Sequence, residues 1–97
     1  MLSADEVAGR LLMGWHAIGT DLRVYVRMPD LQLDSTGTVL EFVAGKILAL
    51  EVDGSRVEVP LEGTTLSPAI IPEGVSSVAI MRGSFPVCVL IEPEKAD

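Results

Sequence analysis

The chain has 97 residues and a formal net charge of −7, with 48% apolar residues and a mean hydropathy of +0.44. That length supports one modest core and therefore one domain, 1–97. No apolar run approaches the roughly 20 residues that cross a bilayer, and the negative charge argues against a broad electrostatic footprint for nucleic acid or anionic membrane.

Residues 2–18 are expected to form an amphipathic helix. Ser3 is a good N-cap and Glu6, three residues on, completes a capping box, with Leu2 and Val7 placed as a hydrophobic staple. Val7, Leu11, Trp15 and Ile18 fall on one stripe, widened by Ala8 and Leu12. Gly9 and Gly14 weaken the helix unless they permit close approach to a sheet, and Gly19 is the stop. Asp5 and Glu6 stand where a secretory leader carries basic residues, and the single cysteine allows no intramolecular disulfide. Both features predict a cytoplasmic chain.

A β-region is expected over 21–91, with 92–97 as a charged tail. Asp21–Met28 alternates Leu22, Val24, Val26 and Met28 against Arg23, Tyr25 and Arg27, the pattern of a half-buried strand. Leu31–Leu33 reads as a short edge strand and Asp34–Gly37 as a turn. Thr38–Leu61 then reads as a three-stranded meander. Asp53-Gly54 suits a type I′ turn, which places Val52 opposite Ser55, Glu51 opposite Arg56, Leu50 opposite Val57 and Leu48 opposite Val59. A three-residue loop at 44–46 places Phe42 opposite Leu48 and Leu40 opposite Leu50; a two-residue loop would send one core set to the wrong face.

Pro68, Pro72, Gly63 and Gly74 make 62–75 read as an irregular connection whose apolar residues lie against the barrel or a neighbouring subunit. Ser76–Met81 and Phe85–Ile91 are expected strands flanking an Arg82-Gly83-Ser84 turn. The last strand is apolar on both faces, which requires burial on both. Taken as edge strands without gatekeeper charges, these two segments need a partner. That reasoning predicts a closed homo-oligomer with Val78, Ile80, Val87, Val89 and Leu90 at the interface.

The chemistry-bearing residues give no enzyme signature. Trp15 reads as core, His16 as a cation at the helix C-terminus, and Cys88 as a small buried hydrophobe. No metal site or cofactor is expected. Arg23 and Arg27 flanking Tyr25 make the most interesting exposed group. Two guanidiniums and a phenol can hold phosphate or a stacked base, or can pair with carboxylates instead.

An N-terminal helix followed by five or six short bent strands is a mainly β arrangement, a small antiparallel open barrel. Gly37-Thr38-Val39-Leu40-Glu41-Phe42 leading into Ile47-Leu48-Ala49-Leu50, with Ile80-Met81-Arg82-Gly83 before Val87-Cys88-Val89-Leu90, resembles the two motifs of the Sm-like (Lsm) family. The resemblance implies a non-catalytic ring whose last two strands join subunits, and RNA bound by the motif loops, here Lys46 with Arg82 and Gly83. The first loop, Val43-Ala44-Gly45-Lys46, has neither the Asp nor the Asn with which that family grips bases. Arg23-Val24-Tyr25-Val26-Arg27 with Asp34-Ser35-Thr36-Gly37 more faintly resembles PilZ barrels, which implies cyclic di-GMP as the alternative ligand. A purely structural protein-interaction module is the remaining alternative.

Overall fold

The computed structural model describes residues 3–70 and 76–92. One helix, α1 (Ala4–Ile18), precedes seven strands: β1 (Leu22–Met28), β2 (Leu31–Val43), β3 (Ile47–Val52), β4 (Ser55–Pro60), β5 (Thr65–Ile70), β6 (Ser76–Arg82) and β7 (Phe85–Ile91). All belong to one antiparallel sheet in the order β4-β3-β2-β1-β7-β6-β5. The sheet is open, yet its two end strands are consecutive in the chain. The short link from Pro60 to Thr65 spans at most about 17 Å, so the sheet has to roll toward itself. The fold is mainly β, as the alternation implied.

The helix starts and stops where its caps place it. Ser3 Oγ accepts from the Glu6 backbone N–H at 3.2 Å, and Gly19 takes the left-handed conformation at φ 75°. Leu2, the other half of the expected staple, lies outside the described residues. The helix is rolled relative to the expected stripe. Ala8, Leu12 and Trp15 are buried against the sheet, Val7 and Leu11 are half-buried, and Ile18 is 81% exposed. Small Ala8 lets the helix axis come close along that line. Neither helical glycine is needed for it: a Cβ on Gly9 would meet the Phe42 ring at an ordinary 3.6 Å, and one on Gly14 would meet nothing. Trp15 Nε1 donates to Glu92 Oε2 at 3.3 Å, a hydrogen bond between the helix and the residue following β7.

The β3–β4 hairpin has the expected register throughout, from Val52 opposite Ser55 to Leu48 opposite Val59. Asp53 and Gly54 both have positive φ, 54° and 81°, as a type I′ turn requires. The β2–β3 loop is the expected three residues, with Gly45 at φ 74°. Phe42 faces Leu48, but Leu40 does not face Leu50. A bulge between Val39 and Glu41 leaves Leu40 unpaired and brings Val39 opposite Leu50. Val39 is therefore core, and the strand bends where the sheet must roll.

Three expectations are corrected here. Leu31–Leu33 is the first quarter of a 13-residue central strand, and Asp34–Gly37 is strand rather than turn. Thr36 pairs with Arg23 and Gly37 with Leu22. The turn-forming composition is overridden because β1 offers partners on one side while Ser35 donates to the Asp53 carboxylate at 3.1 Å on the other. Gly37 also pairs with Val52, so it is the point where β2 passes from one partner to the next. A Cβ there would stand 2.5 Å from the Glu51 carbonyl oxygen and 2.9 Å from Val52 Cγ2. Only glycine permits that approach.

Second, Thr65–Ile70 is a strand paired with β6 although Pro68 stands inside it. Proline is tolerated there because β5 is the edge. Residues 71–75, the rest of the expected connection, lie outside the described residues, as do 93–97 of the tail.

Third, β6 and β7 are not edges. β7 pairs with β1 and β6, and β6 also pairs with β5. Val78, Ile80, Val87 and Leu90 are buried within the single chain, and Val89 is half-buried opposite Tyr25. The core covers Val87, Cys88 and Leu90 of the last strand, whereas Val89 and Ile91 are half-buried, so the burial expected on both faces is complete on one only.

The true edges are blunted. Leu66 N–H points away from β6 and is taken by Asp5 Oδ1 at 3.0 Å. Pro68, two residues on, has no N–H to offer. Along β4 the same period places Pro60 outward, since Leu61 N–H donates inward to Lys46 O at 2.9 Å. Prolines and charges at such positions oppose strand addition.

Candidate functional site

The candidate residues fall into two groups. Lys46 sits exposed in the β2–β3 loop, with its carbonyl held by Leu61, and it does not line the cavities that Tyr25, Arg27 and Arg82 line. Of the remaining five, Tyr25, Arg27 and Arg82 line cavities that meet around the Pro29-Asp30 turn between β1 and β2, with Gly83 following Arg82, whereas Arg23 lies toward the other end of β1.

The outward row of β1 carries Arg23, Tyr25 and Arg27, as strand alternation placed them. Arg23 Nη2 donates to Tyr25 Oη at 3.1 Å and lies 3.4 Å from Asp34 Oδ1. The guanidinium carbon stands 5.6 Å from the centre of the tyrosine ring. Arg23 is thus committed to holding the phenol, through a cation–π contact and a shared hydrogen bond. Arg27 has no carboxylate within ion-pair distance among the described residues.

Three shallow cavities follow one another here. The first, of about 290 Å³, lies between Tyr25, Arg27, Gln32 and Asp34. Arg27 and Gln32 are shared with a second of about 310 Å³, floored by Met28, Pro29 and Phe85. Met28 and Pro29 are shared in turn with a third of about 310 Å³, where Arg82 and Val87 stand opposite Glu58 and Pro60. The result is a track with Tyr25 and Phe85 as aromatic surfaces and Arg27 and Arg82 as cations, while Arg23 lines none of the three cavities and holds Tyr25 from beside them.

Gly83, at φ 64°, makes the tight turn that sets Arg82 directly opposite Phe85. Its role in the track is therefore conformational. Phe85 and Gln32 were not among the sequence candidates. Phe85 is 54% exposed although it opens an apolar strand, and its alternation with a bulge at Val87 gave no linear signal of that.

Other reactive groups are occupied or buried. His16 Nδ1 lies 3.0 Å from Val39 O, a contact in which the protonated ring nitrogen donates to the bulged strand. Burial pushes the Cys88 thiol up to about 12, so it stays protonated near neutrality. Among the described residues no three His, Cys, Asp or Glu side chains gather as a metal-binding group. No described helix is long and apolar enough to cross a membrane. A further cavity of about 350 Å³ under the helix start is lined by Asp5, Glu6, Phe42 and Leu66, with Asp5 already engaged by the Leu66 N–H.

Compared with protein-family models, curated proteins and solved structures, the chain matches none of them.

Proposed function

We propose that this protein is a non-catalytic, Sm-like small β-barrel that binds a short single-stranded RNA segment along the track from Tyr25 to Arg82. The observation that carries the reading is Arg27, without an ion-pair partner among the described residues and standing in both cavities between Tyr25 and Phe85. Bases stack on aromatic faces whatever their sequence, while arginines between them follow the phosphates. Gln32 offers a donor and an acceptor to a base edge.

The net charge of −7 does not oppose this, because the relevant field is local. Two of the seven basic side chains, Arg27 and Arg82, line the track. Of its three acids, Asp34 is neutralised by Arg23 and Glu58 by Arg56 at 2.8 Å, while Asp30 makes no ion pair among the described residues. The site differs from the one the family resemblance implied, since Lys46 takes no part and the outer face of β1 does.

The test is fluorescence anisotropy of labelled oligouridylate with the whole chain at several salt concentrations. Saturable binding that weakens with salt, and that Arg27→Ala weakens about tenfold, is expected. No binding at low salt overturns the reading. Binding of cyclic di-GMP in place of the oligonucleotide transfers the site to the PilZ-like alternative.

A further inference from the structure

The third cavity of the track, of about 310 Å³, carries opposite charges that do not meet. Asp30 stands in the β1–β2 turn and Arg82 closes β6. Both line this cavity, and neither makes an ion pair among the described residues. The Arg82 guanidinium lies instead against the link between β4 and β5, where a Cβ on Gly63 would stand 3.5 Å from its Nη1. Glu58, the other acid here, is already held by Arg56. Much of the remaining lining is apolar, with Met28, Pro29, Val59 and Val87.

On a path for a polyanion, a carboxylate without a cation is unfavourable unless its neighbour donates hydrogen bonds. A phosphodiester has no hydrogen to donate, whereas a base edge does. Guanine alone among the four bases sets two adjacent donors, N1–H and N2–H, on one edge, matching the two oxygens of a carboxylate. Its O6 and N7 are acceptors on the neighbouring edge, where a guanidinium donates to both. Adenine and cytosine carry one amino group beside an acceptor nitrogen, and uracil has one N–H between two carbonyls. Each of those would turn a lone pair toward Asp30.

We infer that this cavity is a guanine pocket. The base lies against the apolar lining, donates N1–H and N2–H to Asp30, and accepts at O6 and N7 from Arg82. The inference rests on the RNA reading above and deepens it: one guanosine is selected at the Arg82 end of a strand that is otherwise bound without regard to sequence.

Fluorescence anisotropy of the whole chain with short labelled oligouridylates, each carrying one guanosine at a different position, tests this. At one position guanosine is expected to tighten binding at least about fivefold over uridine. Inosine there, which lacks the N2 amino group, should recover only part of the gain. Asp30→Asn removes a charge that repels phosphate, so it should tighten oligouridylate slightly while erasing the guanosine preference. Asparagine forms turns as readily as aspartate, which keeps the β1–β2 turn. Strands that bind equally whatever base they carry overturn the inference and leave the RNA reading standing, as does a guanosine preference that survives Asp30→Asn. Binding of labelled guanosine monophosphate but of no strand keeps the pocket, assigns it a free nucleotide and removes the RNA reading. Binding of neither overturns both.

Discussion

Two outer surfaces of the same sheet use arginine in opposite ways. On the β2–β3–β4 side, Arg56 sends Nε to Glu58 at 2.8 Å and Nη2 to Glu41 at 3.4 Å. Its guanidinium reaches across β3 past Ala49, which stands between those two glutamates in register and is fully buried. The two carboxylates raise the Arg56 pKa, so its positive charge is permanent and already answered. On the β1 side, one arginine fixes a tyrosine and the next, Arg27, makes no ion pair among the described residues and lines a cavity with an exposed phenylalanine. The comparison teaches that counting basic residues says little. What separates a closed surface from a receptive one is whether the acids stand in register with them.

The strongest test breaks the joint between the two surfaces. Gly37→Val drives a branched side chain into the β3 backbone where β2 changes partners. It should remove about 5 kcal/mol or more of folding stability, read as a collapse of the urea midpoint. A variant that folds normally would mean that β2 does not pivot there.

The core behind both surfaces can be probed by pH. The folded Cys88 thiol is raised to about 12 from 9.0, so between those values the unfolded chain has lost a proton that the folded chain keeps. Stability is therefore full below pH 9 and declines as pH rises toward 12, by up to about 4 kcal/mol. Cys88→Ala should lower stability at neutral pH but flatten this decline. Equal slopes in the two proteins would show that the thiol is not buried in solution.

The receptive surface itself is sharpened by Phe85→Ala and Arg27→Ala, each expected to weaken oligonucleotide binding about tenfold while leaving the melting temperature nearly unchanged. The smallest effect belongs to the closed surface. Arg56→Gln should leave oligonucleotide affinity unaltered and lower the melting temperature slightly, less so in high salt, because exposed ion pairs are screened. Weakened binding in Arg56→Gln would erase the distinction between the two surfaces.

Much of this was legible residue by residue. Ser3, Glu6 and Gly19 set the helix ends, Asp53-Gly54 set the hairpin register, and alternation in Leu22–Met28 set which side chains of β1 face out. Such signals are local, because caps, tight turns and period-two burial are decided by residues adjacent in the chain. Arg23, Tyr25 and Arg27 were therefore found as a row, and Arg82-Gly83 as a turn.

Tertiary structure decided the rest. Asp34–Gly37 has the composition of a turn and Pro68 that of a breaker, and both lie in strands because neighbouring chain supplied partners. The sequence marked Arg56 as opposite Glu51, and the register agrees, yet the long guanidinium is held by Glu58 and Glu41, a choice among neighbours on one face. The bulge at Leu40 exchanged it for Val39 in the core, and β7 became a central strand where an edge was expected. The gathering of Arg27, Phe85 and Arg82 also arose only there, because strands far apart in sequence meet when the sheet rolls. By itself the sequence determined the caps of α1, the β3–β4 turn and the alternation of β1. Which elements lie side by side depends on long-range pairing, whose energy no local window of the chain contains.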